Sequence, residues 1–194
     1  MPLSPREALT IARIVRVNHA GEYGAIRIYS AQIRVASRLY PDVVDALGHM
    51  LEHEKKHCAA FYGAMPARGS RPCRVMSLWS MGGSLLGALT ALMGRQGVWS
   101  CTAAVEETVH RHLDDQLHFL AGRDGELHGI ISSIREEELA HLHHAEAQLA
   151  APTPVRRLLR GAISVITDAL IWLSTWGDSQ RMARDLRAAA RGQP

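Results

Sequence analysis

Arg135-Glu-Glu-Glu138-Leu-Ala-His141-Leu-His-His-Ala-Glu146 decides how the chain is read. On a helix, positions three apart face the same way on neighbouring turns, so Glu138 and His141 can bind one metal ion together. The same spacing recurs at Glu54-Lys-Lys-His57. Each copy also has a lone glutamate in an apolar helical stripe, 32 positions upstream of its own glutamate: Glu22 for the first copy and Glu106 for the second. A single Glu-x-x-His is usually a solvated pair. Two halves, each supplying one glutamate and then one Glu-x-x-His, match the ligand set of a two-metal carboxylate centre in a four-helix bundle.

Burying four ionised carboxylates together is prohibitive unless they are protonated or paired with cations. Two divalent ions balance Glu22, Glu54, Glu106 and Glu138, which argues for two metals rather than one. Glutamates that can bridge both ions, with one histidine for each, suit iron or manganese, whereas structural zinc favours thiolate-rich tetrahedral sets. Cys58, Cys73 and Cys101 are odd in number and contain no Cys-x-x-Cys pair. They therefore support neither a disulfide framework nor a rubredoxin-like site. Iron is expected, because a pair of ferrous ions can donate electrons jointly to dioxygen. The candidate metal ligands are Glu22, Glu54, His57, Glu106, Glu138 and His141.

The expected fold is all-α: one domain over residues 1–194, a ferritin-like four-helix bundle with a hydrophobic crossover helix and an extra C-terminal helix. Aromatic residues make up only 5% of the chain, against a β-sandwich. Ser4-Pro5-Arg6-Glu7 is a capping box that opens a helix over about residues 5–37, with Ile11, Val15, Asn18, Glu22, Ile26, Tyr29 and Ile33 on one stripe. Gly21 and Gly24 beside Glu22 suggest close packing against the backbone. The other bundle helices are expected over about 41–63, 97–121 and 125–150, each with its glutamate at mid-stripe. Residues 75–94 are free of charge between Arg74 and Arg95 and long enough to span a bilayer. A true span would put the two half-sites on opposite sides of the membrane. The segment is therefore read as the crossover between the second and third bundle helices, lying in or against the membrane surface. After Pro152 and Pro154, one helix is expected over about 155–190. Trp172 and Trp176 beside a basic flank suit an interfacial helix, and an amphipathic helix serves equally to cap the bundle.

Net charge is +3, and residues 152–194 hold seven arginines against three aspartates. Arginines beside apolar runs point to anionic membrane surfaces, and no nucleic-acid motif accompanies them. The start, Met1-Pro-Leu-Ser-Pro-Arg-Glu7, lacks the pattern of a signal peptide, so the expected location is the cytoplasmic side of the cell membrane, peripherally attached. His49, His53, His118, His128, His143 and His144 are expected at exposed or rim positions. His19, His110 and His112 lie near the candidate ligands and are candidates for orienting them. Glu52, Glu107, Glu136 and Glu137 fall off the stripes and are expected in solvent, with Tyr23 and Tyr29 as packing residues or, close to the centre, as groups that matter in electron transfer.

Asn18-His-Ala-Gly-Glu22-Tyr-Gly-Ala25, Glu54-Lys-Lys-His57, Cys101-Thr-Ala-Ala-Val-Glu106-Glu107 and Glu137-Glu138-Leu-Ala-His141 together resemble the demethoxyubiquinone hydroxylases of ubiquinone biosynthesis, the Coq7 family. The likeness is collinear from about Ile11 into the C-terminal region. It implies a ferritin-like di-iron monooxygenase, peripheral to the membrane, that hydroxylates the ring of a polyprenyl demethoxyubiquinol or demethoxyubiquinone. Dioxygen would be the co-substrate and NADH the reductant, with other ubiquinone-biosynthesis proteins as partners. No Gly-x-Gly-x-x-Gly fingerprint accompanies the NADH expectation. Carried over residue by residue, the iron ligands are the same six. Asn18 stands where some members have Asp, and Leu113 where animal members have Tyr. Residues 75–94 and the Trp172–Trp176 region are expected to wall a path for the polyprenyl tail. The competing readings are a ferritin-like protein that handles iron or peroxide, and a membrane-surface isoprenoid-binding scaffold with structural metals.

Overall fold

The Ser4 hydroxyl accepts the Glu7 backbone N–H while the Glu7 carboxylate accepts the Ser4 backbone N–H, the reciprocal cap that the sequence spells out. The computed structural model describes residues 3–151 and 153–191; Pro152, one of the two prolines expected to separate the C-terminal helix, lies outside them. From this cap runs α1 (Pro5–Leu39), followed by α2 (Val44–Ala64), α3 (Met76–Leu92), α4 (Arg95–Leu120), α5 (Gly125–Ala147), α6 (Pro154–Ser174) and α7 (Asp178–Ala190). No strand occurs among the described residues, and the all-α expectation holds.

Short connections make α1–α2 and α4–α5 two helical hairpins, and these face each other through α2 on α5 and α1 on α4. One apolar cluster, including Ile11, Ile14, Phe61, Leu120, Leu127 and Ile131, fills one end of the bundle. A second, with Tyr29, Leu47, Trp99 and Ala145, fills the other. The glutamate layer lies between them.

Helix α3 is the crossover, packed along α1 with its small residues inward. A Cβ on Gly83 would come within 2.9 Å of the Gly24 carbonyl oxygen, and one on Gly87 would collide with that of Ile28. Close packing at Gly24 therefore comes from α3, whereas a Cβ on Gly21 would meet nothing within 4 Å. The opposite face of α3 leaves Met81, Leu85, Leu89 and Leu92 exposed, and α6 beside it exposes Leu158, Val165, Ile166 and Leu173. Among the described residues, no single helix is long and apolar enough to cross a membrane.

The single C-terminal helix expected over 155–190 is two helices, bent by 100° between α6 and α7. Trp176 and Gly177 sit at φ 52° and 75°, a left-handed corner that ends α6. Helix α7 then folds back on α1, where Arg13 and Arg16 pair with Asp178 and Arg6 and Arg13 pair with Asp185. Met182 and Leu186 enter the core. The segment thus caps the bundle through α7 and presents an apolar face through α6.

The contrast between two helical glycines checks the α1–α3 approach. Gly129→Ala, with open space around the added methyl, is expected to stabilise the fold by about 0.5–1 kcal/mol. Gly87→Ala is expected to destabilise it by about 1–3 kcal/mol despite better helix propensity. Urea denaturation of both variants measures the difference.

Candidate metal centre

The carboxylates of Glu22, Glu54, Glu106 and Glu138 come from four different helices and meet in one buried layer, each residue no more than 5% exposed. Apolar side chains at the neighbouring turns direct them there: each glutamate occupies a core position of its own stripe. His57 and His141, one turn along α2 and α5, aim their Nδ1 atoms into the same layer.

Two overlapping groups result. Glu22, Glu54, His57 and Glu138 form one, and Glu54, Glu106, Glu138 and His141 the other, with each group's ligand atoms all within 4.8 Å of one another. Glu54 and Glu138 belong to both groups. His57 Nδ1 stands 3.2 Å from Glu138 Oε1 and 3.8 Å from Glu22 Oε2. His141 Nδ1 stands 3.5 Å from Glu54 Oε1 and 3.6 Å from Glu138 Oε2.

These atoms crowd together without saturating each other. Glu54 Oε1, both Glu138 oxygens and both histidine Nδ1 atoms are buried and accept or donate no hydrogen bond. Unpartnered polar atoms are rare in a protein interior, and a cluster of them calls for an ion. The donors are carboxylate oxygens and imidazole nitrogens with no thiolate, a set that fits iron or manganese.

The outer nitrogens of the two histidines are held by Glu137, expected in solvent, and His53, expected at an exposed or rim position. His57 Nε2 lies 3.1 Å from Glu137 Oε2, and His141 Nε2 lies 3.1 Å from His53 Nδ1. His53 Nδ1 also stands 3.3 Å from Glu137 Oε2. Each contact fixes the ring so that Nδ1 points inward. The available signal was spacing: His53 is four residues before His57 on the same helix face, and Glu137 adjoins Glu138. The three histidines named as candidates for this role lie elsewhere. His19 packs near Tyr62, His110 faces Asp114, and His112 faces Asp168. Of the two tyrosines read as packing residues or as neighbours of the centre, Tyr29 donates its hydroxyl to Glu106 Oε1 at 2.5 Å, while Tyr23 is held by Arg27 outside the centre.

A cavity of about 270 Å³ opens from the carboxylates between α1, α4, α6 and α7. Apolar side chains such as Ile28, Val105, Val109, Leu113 and Ile171 line most of it. Asn18 and Gln116 form a reciprocal amide pair on its wall, at 2.7 and 3.0 Å. Trp172 reaches the outer part, but no residue of 75–94 and not Trp176 lines it, contrary to the expected path. The reason is the α6–α7 corner, which inserts α7 where the crossover was placed.

In the metal-free protein, burial raises the carboxyl pKa of Glu22, Glu54 and Glu106 above the ordinary 4.5, and the Glu138 charge adds to each. Burial opposes Glu138 ionisation too, but its contacts with Glu106, His141 and His57 outweigh this and hold it low. Burial alone would lower His57, yet Glu138 and Glu22 overcompensate and push it up to about 10. Protonation of the raised carboxyls stabilises the metal-free fold at acid pH, and that contribution is lost as pH rises above their ordinary value. Glu54→Gln is therefore expected to raise metal-free stability at pH 8 by about 1–4 kcal/mol, with a smaller gain at pH 5, while reducing metal uptake. Thermal unfolding with a chelator tests this, and a loss of stability at pH 8 contradicts it. Metal binding at neutral pH is expected to release protons, seen as a dependence of calorimetric heat on the buffer's ionisation enthalpy.

Comparison with known proteins places this geometry in a family. The model of the ubiquinone biosynthesis protein COQ7 family matches residues 9–174. The chain is 38% identical over 174 residues to the 3-demethoxyubiquinol 3-hydroxylase of Rhodospirillum rubrum, covering 90% of this chain and 82% of that one. It is 40% identical over 182 residues to the NADPH-dependent 3-demethoxyubiquinone 3-hydroxylase of Mus musculus mitochondria, covering 90% and 81%. The mitochondrial 5-demethoxyubiquinone hydroxylase of Saccharomyces cerevisiae is 32% identical over 188 residues, covering 88% and 79%. With a match that spans both halves of the carboxylate layer, the chain belongs to the COQ7 family of ubiquinone biosynthesis proteins.

Proposed function

We propose that this chain hydroxylates the ring of a polyprenyl demethoxyubiquinol or demethoxyubiquinone, with two iron ions as cofactor and dioxygen as co-substrate. The observation that carries the reading is the apolar cavity whose inner end is the carboxylate layer itself. Glu22 with His57 would hold one iron and Glu106 with His141 the other, Glu54 and Glu138 serving both. This arrangement matches the ferritin-like di-metal bundle. A bound iron pair would supply the reductive activation of dioxygen, one oxygen atom entering a ring C–H bond as a hydroxyl and the other leaving as water with two electrons from the reductant and two protons.

The protein's own part is binding, orientation and exclusion of water. Leu113, Val109 and Val105 line the cavity with apolar side chains that can contact a ring. The amide pair of Asn18 and Gln116 keeps spare N–H groups that can meet ring oxygens. Tyr29, its pKa raised by burial and then by Glu106, stays protonated and donates to Glu106. Reducing equivalents come from NADH in this reading, and the mouse relative's name specifies NADPH.

The exposed apolar faces of α3 and α6 rest on the membrane surface in this proposal, a peripheral attachment on the cytoplasmic side. The tail of the quinone then leaves through the outer cavity beside Trp172. Other ubiquinone-biosynthesis proteins are partners on the strength of the family alone.

Turnover of a demethoxyubiquinone under isotopically labelled dioxygen, followed by mass spectrometry, is expected to place one labelled oxygen on the ring. Glu138→Gln is expected to abolish it. Uptake of many irons per chain without labelled quinone would replace this proposal with iron storage. Gly21→Leu probes the cavity separately, because Gly21 lines it and a Cβ added there meets nothing within 4 Å. It is expected to keep stability and iron content while lowering kcat/KM by roughly tenfold or more.

A further inference from the structure

A second cavity, of about 260 Å³, lies on the other side of the α6–α7 corner from the first. Arg16, Arg71, Arg74 and Arg181 line it, with Asp178 as its one carboxylate among the described residues. That carboxylate is already occupied. Asp178 Oδ2 accepts from Arg16 at 2.7 Å, and Oδ1 faces Arg13 and Arg181 at 3.3 and 3.4 Å. The side chains of Arg71 and Arg74 meet no acidic group among the described residues. The cavity therefore carries uncompensated positive charge in a concave wall, where field lines focus on an anion.

Two further features say where that anion is presented. Trp176 lines the same cavity at φ 52° and is 72% exposed, a strained backbone holding an indole out into solvent. Gly82 of α3 packs on Leu170 of α6, so the start of α3 lies beside the end of α6. The cavity consequently sits at one end of the apolar face formed by Met81, Leu85, Val165, Ile166 and Leu173. Arginines and an exposed tryptophan bordering an apolar face are the chemistry of the headgroup layer.

We propose that this cavity binds the phosphate of an anionic phospholipid headgroup, with Arg71 and Arg74 as its principal ligands and Trp176 inserted beside it. The site would fix the rotation of the protein on the bilayer, turning the outer end of the substrate cavity toward the acyl region. This rests on the proposal that α3 and α6 lie on a membrane, and adds to it a defined headgroup site.

The test is flotation of the full-length protein with vesicles of phosphatidylcholine alone and of phosphatidylcholine mixed with phosphatidylglycerol. Arg71→Gln/Arg74→Gln is expected to lose roughly twenty-fold in affinity for the mixed vesicles, about fivefold per arginine at an anionic surface, and less than about twofold for the neutral ones. Arg34→Gln/Arg38→Gln removes the same charge from an exposed stretch about 30 Å away along α1 and is expected to cost much less. An equal loss in this control would show diffuse attraction and overturn the site. Wild-type protein that binds both vesicles equally would overturn the headgroup site while keeping the apolar face. Failure to bind either vesicle would remove the membrane reading itself and this site with it. Titration with NADPH provides the last arm: nucleotide binding abolished by Arg71→Gln/Arg74→Gln would assign the cavity to a dinucleotide phosphate and overturn the lipid assignment.

Discussion

Four carboxylates placed within a few ångströms of one another, away from water, are the constraint on which the rest of this structure depends. Their mutual repulsion and the loss of hydration would each disfavour folding, and burial pushes the carboxyl pKa of Glu22, Glu54 and Glu106 up. Two apolar clusters, one at each end of the bundle, provide the burial that keeps the layer in place. A site of this kind contributes chemistry at the expense of stability, as functional sites commonly do.

The layer has two unlike sides. On the α2–α5 side, His53 and Glu137 take the outer nitrogens of the inward-pointing histidines, so the rings are fixed by contacts that reach the surface. On the α1–α4 side there is open space lined by aliphatic residues and one amide pair. Ligand orientation is thus separated from substrate access, and each can change without disturbing the other. The absence of a side chain at Gly21 and the aliphatic Leu113 help keep the second side open.

The six candidate ligands were legible because a helix converts spacing into direction. Glu54 with His57 and Glu138 with His141 sit one turn apart, and the lone Glu22 and Glu106 stand on apolar stripes that have to face a core. The Tyr29 contact with Glu106 was not legible, since it joins helices 77 residues apart and a buried tyrosine on a stripe reads as packing. The roles of His53 and Glu137 were hidden for the opposite reason. Both lie partly exposed, where charged residues are ordinarily solvated, and only the partner helix shows what they touch. The C-terminal break was misread because Gly177 follows a long apolar run without a proline, and a glycine interrupts a helix only where the chain has somewhere to turn.

By itself the sequence determined the all-α class, the pairing of two half-sites, the candidate donors and the resemblance to a quinone-hydroxylating family, because periodicity and spacing are local properties of a helix. Tertiary structure alone decided which carboxylates are shared, which residues lock the histidines, and that α7 rather than the crossover walls the cavity. Those features depend on how far apart in space the helices are and how they rotate about their axes. No pattern within one helix carries that information; it arises from packing glycines such as Gly83 and Gly87 and from the left-handed corner at Trp176 and Gly177.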